Sequence, residues 1–267
     1  MLKNPTSLSE GRAAPGWIPI DLEGVAMIWR RDMVRFWRQR SRLLGSVARA
    51  LVWLFALGFG LRGSLGSISG FSYAQFVFPG VIGMTIIFSS LQSAISIVYD
   101  REFGFLKEVQ VAPTPRSTLV IGKCLGGASS ATAQSAIILL FAPFASVTLT
   151  PLNVLGALVA MFVTALAISA LGVVIAMWIT DFENFGTIQN FITLPLYMFS
   201  GAIFPTKQVP AWLHTILLIN PLTYGVNAIR AMLLNYDLSS VPFNLLVLLI
   251  FMVIMLSIAI VMTRKEI

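Results

Sequence analysis

The sequence predicts an all-α integral membrane protein with six transmembrane helices, and three observations carry that prediction. Of its 267 residues 57% are hydrophobic and only 11% charged, whereas soluble domains carry about 25% charged residues. The mean hydropathy is +0.86. Apolar residues come in runs of roughly 20, the length a helix needs to cross a bilayer and unlike the weakly alternating segments of a barrel. The net charge of +7 is spread beside those runs, a pattern that membrane topology requires and that argues against nucleic acid as a partner.

Residues 1–20 are polar, contain Pro15, Gly16 and Pro19, and lack the apolar core of a signal peptide; they read as a flexible cytoplasmic tail. Residues 21–42 read as an amphipathic interface helix. Leu22, Val25, Ala26, Trp29, Met33, Phe36 and Trp37 fall on one side and Arg31, Arg35 and Arg38 on the other. Aromatic groups opposite a row of arginines describe a helix lying on anionic lipid. A nucleic-acid-binding arm is the alternative for this basic run. Asp21 is placed to cap the helix.

Residues 43–267 form the membrane domain. The first span is predicted at Leu43–Leu61, with Arg49 snorkelling towards the headgroups. The second, Phe76–Val98, carries Thr85, Ser89, Ser90, Gln92, Ser93 and Ser96, polarity that belongs against protein or a cavity. The third covers Leu119–Phe144, where Gly122, Gly126 and Gly127 permit close helix approach. The fourth is Leu152–Thr180. The fifth, Gly186–Phe204, holds Gln189, Asn190, Thr193, Pro195 and Tyr197 and is predicted to kink. Residues 205–235 are broken by Pro205, Pro210 and Pro221. They read as two short re-entrant helices, Val209–Ile219 and Leu222–Leu234, with a genuine pair of spans as the alternative. The sixth span is Phe243–Met262.

Between the second and third spans lies a polar break, Tyr99 to Lys123. Within it Phe103, Leu106 and Gln110 recur at helical spacing, so residues 101–110 suit a short amphipathic helix stopped by Pro113 and Pro115. Such a helix could dock a soluble partner; an ordinary solvated loop fits the same residues. Nine Lys and Arg precede or open the first span, four lie in the break and two in the tail, leaving only Arg62, Lys207 and Arg230 elsewhere. That bias puts both termini and the break in the cytoplasm.

The chemistry that is missing narrows the function. The lone Cys124 cannot form a disulfide within the chain, and no Cys or His cluster suggests a metal. Gly122-Lys123-Cys124 lacks the upstream glycine and the hydroxyl of a phosphate-binding loop. His214 suits an interfacial position better than catalysis, and Asp181 with Glu183 suits helix capping or loop solvation. The spans hold almost no ionisable group beyond Arg49 and Lys123, so an ion-coupled carrier is disfavoured. If the chain moves a solute uphill, the energy must come from another polypeptide. A membrane-embedded enzyme or a scaffold without a transport path are the competing readings.

Four stretches resemble one family: F-S-Y-A-Q-F-V-F-P-G at 71–80, D-R-E-F-G-F-L-K-E-V-Q-V-A-P-T-P-R at 100–116, L-P-L-Y-M-F-S-G-A-I-F-P at 194–205 and I-N-P-L-T-Y-G-V-N-A-I-R at 219–230. Together they resemble the membrane permease subunit of bacterial type-2 ATP-binding-cassette exporters of drugs, Nod factors and surface polysaccharides. The resemblance implies a bacterial inner-membrane, multi-pass protein that is itself no enzyme and holds no cofactor. ATP and Mg would sit on a partner ATPase subunit, and a second permease copy would complete a two-plus-two complex in contact with membrane lipids. Arg101, Glu102, Phe103, Gly104, Leu106 and Lys107 would belong to a coupling helix. Trp29, Arg31, Arg35 and Arg38 would belong to the interface helix. Ser89, Gln92, Ser93, Gln189, Asn190, Thr193 and Tyr197 would line the translocation path. Phe105 and Lys107 stand where many relatives carry Thr and Glu.

Overall fold

The computed structural model describes residues 21–58, 60, 67–68, 70–102, 115–179, 182–206 and 209–265. Helix α1 (Leu22–Arg38) begins where Asp21 accepts the Glu23 N–H at 3.1 Å, satisfying one of the free amides of the first turn. It ends at Gln39, and α2 (Arg40–Gly58) follows at once. The interface helix is therefore shorter than residues 21–42. The first span starts ahead of Leu43 and ends ahead of Leu61. A small hairpin of β1 (Ser67–Ile68) and β2 (Phe71–Ser72) follows.

Helix α3 (Tyr73–Glu102) runs for 30 residues, about 45 Å at 1.5 Å per residue, against a hydrocarbon layer of about 30 Å. Asp100, Arg101 and Glu102, expected in the polar break, are its last turn. Helix α4 (Arg116–Leu139) stops before the expected Phe144, and a 3₁₀ turn with Pro143 in its first turn occupies Ala142–Ala145. Thr150 accepts the Asn153 N–H at 3.4 Å and Pro151 opens α5 (Pro151–Trp178), the position where a missing N–H costs nothing. Helix α6 (Phe182–Met198) contains Pro195 and ends before the expected Phe204. The chain there turns back through Gly201, whose φ of +70° suits glycine.

Helices α7 (Ala211–Ile219) and α8 (Pro221–Leu234) meet at Asn220 with a bend of 84°. Asn220 holds the corner: its Nδ2 donates to the carbonyls of Leu196 and Phe199 at 2.7 and 2.8 Å, and its Oδ1 accepts the Leu222 N–H. The last helix is α9 (Val241–Lys265).

Among the described residues four segments are long and apolar enough to cross a membrane: α2, α3, α5 and Leu238–Thr263, which contains most of α9. The bent pair α7–α8 makes five if it is one broken span. The expectation of six is not reached on this measure. Lys123, glycines and hydroxyls dilute the apolar character of α4, and α6 has only 17 residues.

Helix α5 is the centre, packed against α3, α4, α8 and α9. Its buried Ala157, Ala160, Ala165, Ala167, Ala170 and Gly172 let neighbouring backbones come close. On α9, Phe243, Leu246, Leu249, Ile250, Val253, Ile254 and Ile258 are exposed. An apolar surface of that size needs lipid or protein to cover it.

Candidate functional site

At the Glu102 end of α3, four charged side chains from three helices meet. The junction begins with two glycines of α4. A methyl group at Gly122 would lie 2.9 Å from Ile28, and one at Gly126 3.0 Å from Asp32. Ile28 and Asp32 are one turn apart on α1, as Gly122 and Gly126 are on α4, so the glycines form a groove that seats α1. Above it the Trp29 indole N–H donates to Ser129 Oγ at 3.0 Å. At the start of α1 the Asp21 N–H donates to Thr118 Oγ1 at 3.1 Å.

This seating brings Asp32 beside Lys123, which is 5% exposed. The Lys123 Nζ lies 2.9 Å from Asp100 Oδ2 of α3 and 3.5 Å from Asp32 Oδ1, and it donates to Ser96 Oγ at 2.9 Å. Arg31 closes the ring, with Nη2 3.0 Å from Asp100 Oδ2 and Nε 3.6 Å from Asp32 Oδ1. Two acids and two bases thus balance where water is scarce. Removing the buried Lys123 would strand two buried acids, which is costly, whereas Arg31 is partly exposed to solvent.

The next residues on α3 extend the junction. Arg101 donates to the carbonyl of Ile179 at 3.1 Å and to that of Met177 at 3.4 Å, beside the electronegative end of α5. Glu102 is exposed. Phe103, Gly104, Leu106 and Lys107, with the rest of the expected 101–110 helix, lie outside the described residues.

Several expected site residues are placed differently from the sequence reading. The Arg31 guanidinium joins the junction, which the sequence reading of a basic row did not include. Arg35 lines a cleft of about 600 Å³ between α1 and α3, and Arg38 is exposed. The residues assigned to a translocation path do not converge within one chain. Ser89 is buried, its Oγ accepting from Gln134 Nε2 at 2.7 Å. Gln189 Nε2 donates to Gln92 Oε1 at 3.4 Å. Ser89 and Gln92 line a second cleft of about 420 Å³, and Ser93 lines the first. Thr193 and Tyr197 are buried, the latter edge-on to Trp53, whereas Asn190 is exposed.

Sequence reasoning missed the partnership of Asp32, Asp100 and Lys123. The signal was an aspartate between Arg31 and Met33, on a helix facing a glycine pair with a lysine beside it. It also missed the contacts of Arg230, which closes the 219–230 stretch and otherwise entered only the charge count. Its side chain is buried, donates to Gly201 O at 3.0 Å and Asn227 Oδ1 at 3.2 Å, and stacks 4.0 Å from the Phe76 ring centre. Among the described residues no group of three His, Cys, Asp or Glu side chains could hold a metal ion.

Residues 23–234 match the family described as ABC-2 type transporter, well over half of the chain. The chain belongs to that family. It is similar to Nodulation protein J of Neorhizobium galegae, with 24% identity over 96% of this chain and 98% of the relative. It is also similar to proteins named as transport permease ycf38: 26% identity in Cyanophora paradoxa, over 78% of this chain and 73% of that one, and 28% in Pyropia yezoensis, over 84% and 76%. The chain is thus a multi-pass ABC-2 permease subunit rather than an ATPase domain, in a family whose members work with an ATPase partner. Within this permease the four-charge junction is the most strongly organised polar site among the described residues.

Proposed function

We propose that this permease exports an amphipathic, lipid-linked or drug-like substrate across a bacterial inner membrane. A second permease copy forms the path with it, and two separate nucleotide-binding subunits hydrolyse ATP. Both termini and the segment after Glu102 face the cytoplasm. The mechanism needs no chemistry in the permease. ATP binding closes the two ATPase subunits, these pull the segments after Glu102, and the rigid helices attached to those segments turn about the two-fold axis.

One observation carries this reading. The helix that leads into the docking segment is 30 residues long, and its end is tied by Asp100 to α1 and α4 and by Arg101 to α5. A pull on that end therefore moves four helices and not a loose loop. The face of α6 with exposed Asn190, Phe191 and Leu194 suits the second copy, which would place Asn190 at the path between the two.

The test is copurification. Wild-type permease is expected to bring down an ATPase subunit bearing a phosphate-binding loop. Glu102→Lys and Phe103→Asp are expected to lower its recovery and abolish export while membrane insertion persists. Normal recovery and export in both variants would refute the docking role.

A further inference from the structure

Two arginines of α2 take no part in the charge junction. Arg42 and Arg49 are seven residues apart, hence on one face of α2 and about 10 Å apart along its axis. Both line the cleft of about 420 Å³ between α2 and α3. Arg42 donates to the Ser89 carbonyl at 3.3 Å, and the Arg49 guanidinium lies 4.7 Å from the centre of the Phe88 ring. Among the described residues neither has a carboxylate partner. Lys123 in the charge junction is matched by two acids, and Arg230 is held by three neutral acceptors and a ring. Arg42, by contrast, has one carbonyl among the described residues and Arg49 one ring face. Here two positive charges face the same space unmatched, and in a membrane protein such charges mark the path of a ligand.

The rest of the cleft says which ligand. Ser41 and Ser46 of α2, Thr85 and Gln92 of α3 and Gln134 of α4 add hydroxyls and amides around the two guanidinium groups. Ala50, Met84 and Phe88 form an apolar wall at its side. On α2 next to it, Leu44, Val52 and Phe55 are exposed, so an acyl chain has an apolar surface to follow out of the cleft. The volume suits a headgroup, at the small end of ligand pockets. Space is left at Gly45, where an added methyl group would meet nothing within 4 Å. Guanidinium groups bind phosphate oxygens in paired, charge-assisted hydrogen bonds.

We propose that the cleft between α2 and α3 binds the phosphate headgroup of an anionic amphiphile through Arg42 and Arg49. This deepens the export reading and rests on it for the statement that the bound amphiphile is substrate; the binding site itself stands on the cleft. The amphiphile is recognised by its phosphate, held at the mouth of the path, and oriented with its tail along α2.

The experiment is native mass spectrometry of the full chain in detergent, titrated with dihexanoyl phosphatidic acid, dihexanoyl phosphatidylcholine or inorganic phosphate. The wild type is expected to bind one phosphatidic acid per chain, at least tenfold more tightly than either other probe. Arg42→Gln and Arg49→Gln should each weaken it about tenfold, the loss expected for one hydrogen bond to a charged group. Arg42→Lys should retain most of the binding. Gly45→Leu, which improves helix propensity and keeps both charges, should also weaken it by filling the cleft. Equal binding of phosphatidylcholine would overturn the preference for an anionic head. Equal binding of inorganic phosphate would overturn the assignment to an amphiphile, and unchanged binding in the Arg42→Gln, Arg49→Gln double variant would overturn the site. A chain that passes these tests but does not export with its ATPase would refute the export reading alone. Absence of phosphatidic acid binding by the wild type, together with export of a neutral amphiphile, would refute the phosphate site alone.

Discussion

The two ends of α3 hold buried cations in opposite ways. Near Asp100, Lys123 is matched by two carboxylates, and the four charges come from α1, α3 and α4. Near Phe76, about 36 Å away along the helix, Arg230 is met among the described residues by carbonyls, an amide and the face of a ring. At the first end each acid has two basic neighbours, so charge ties three helices together. At the second the guanidinium pins the turn at Gly201 and helix α8 to α3 through neutral groups. Ionic pairing thus holds one end of α3 to its neighbours, and neutral hydrogen bonding holds the other.

The comparison is tested most severely at Lys123. Lys123→Met leaves Asp32 and Asp100 buried with only the half-exposed Arg31 between them. It is expected to cost about 3–5 kcal/mol, read as a fall in thermal unfolding temperature of the purified chain. Adding Asp32→Asn and Asp100→Leu to it should recover most of that loss, because no acid is then stranded. Equal loss in the single and triple variants would show that the junction is not ionic in origin. Arg230→Met strands no charge and should cost less, about 1–3 kcal/mol, in the same measurement; a larger loss than at Lys123 would invert the comparison. Arg31→Gln should be the mildest, below about 1 kcal/mol, since its side chain is 38% exposed and solvent screens the pair.

Much of this architecture was legible beforehand because membrane helices write themselves as long apolar runs. The corner at Asn220 was legible from Pro221, and a close helix approach on α4 from Gly122, Gly126 and Gly127, though not that α1 is the helix seated on Gly122 and Gly126. What the runs hide is where a helix stops. Helix α3 carries Asp100 and Arg101 on past its apolar stretch because both find partners on other helices, information that hydropathy does not contain. The same holds for the junction itself. Lys123 read as a charge at a span's edge, and Asp32 drew no attention, because their meaning lies in a pairing of residues 91 positions apart. Arg230 misled for a related reason: a topology count treats every arginine as if water surrounded it. The residues assigned to a path lie in two clefts, in the core and on an exposed face of α6, because polarity along a span does not say which neighbour each side chain meets.

The account depends most on the sidedness of the charged end of α3, and impermeant-maleimide labelling reads it directly. In a Cys124→Ala background, Glu102→Cys should react in inverted membrane vesicles and stay unlabelled in intact cells. Asp237→Cys, exposed beyond α8 towards the Phe76 end of α3, should do the reverse. Labelling of Glu102→Cys from outside intact cells would contradict the account, because no cytoplasmic ATPase could then act on that end.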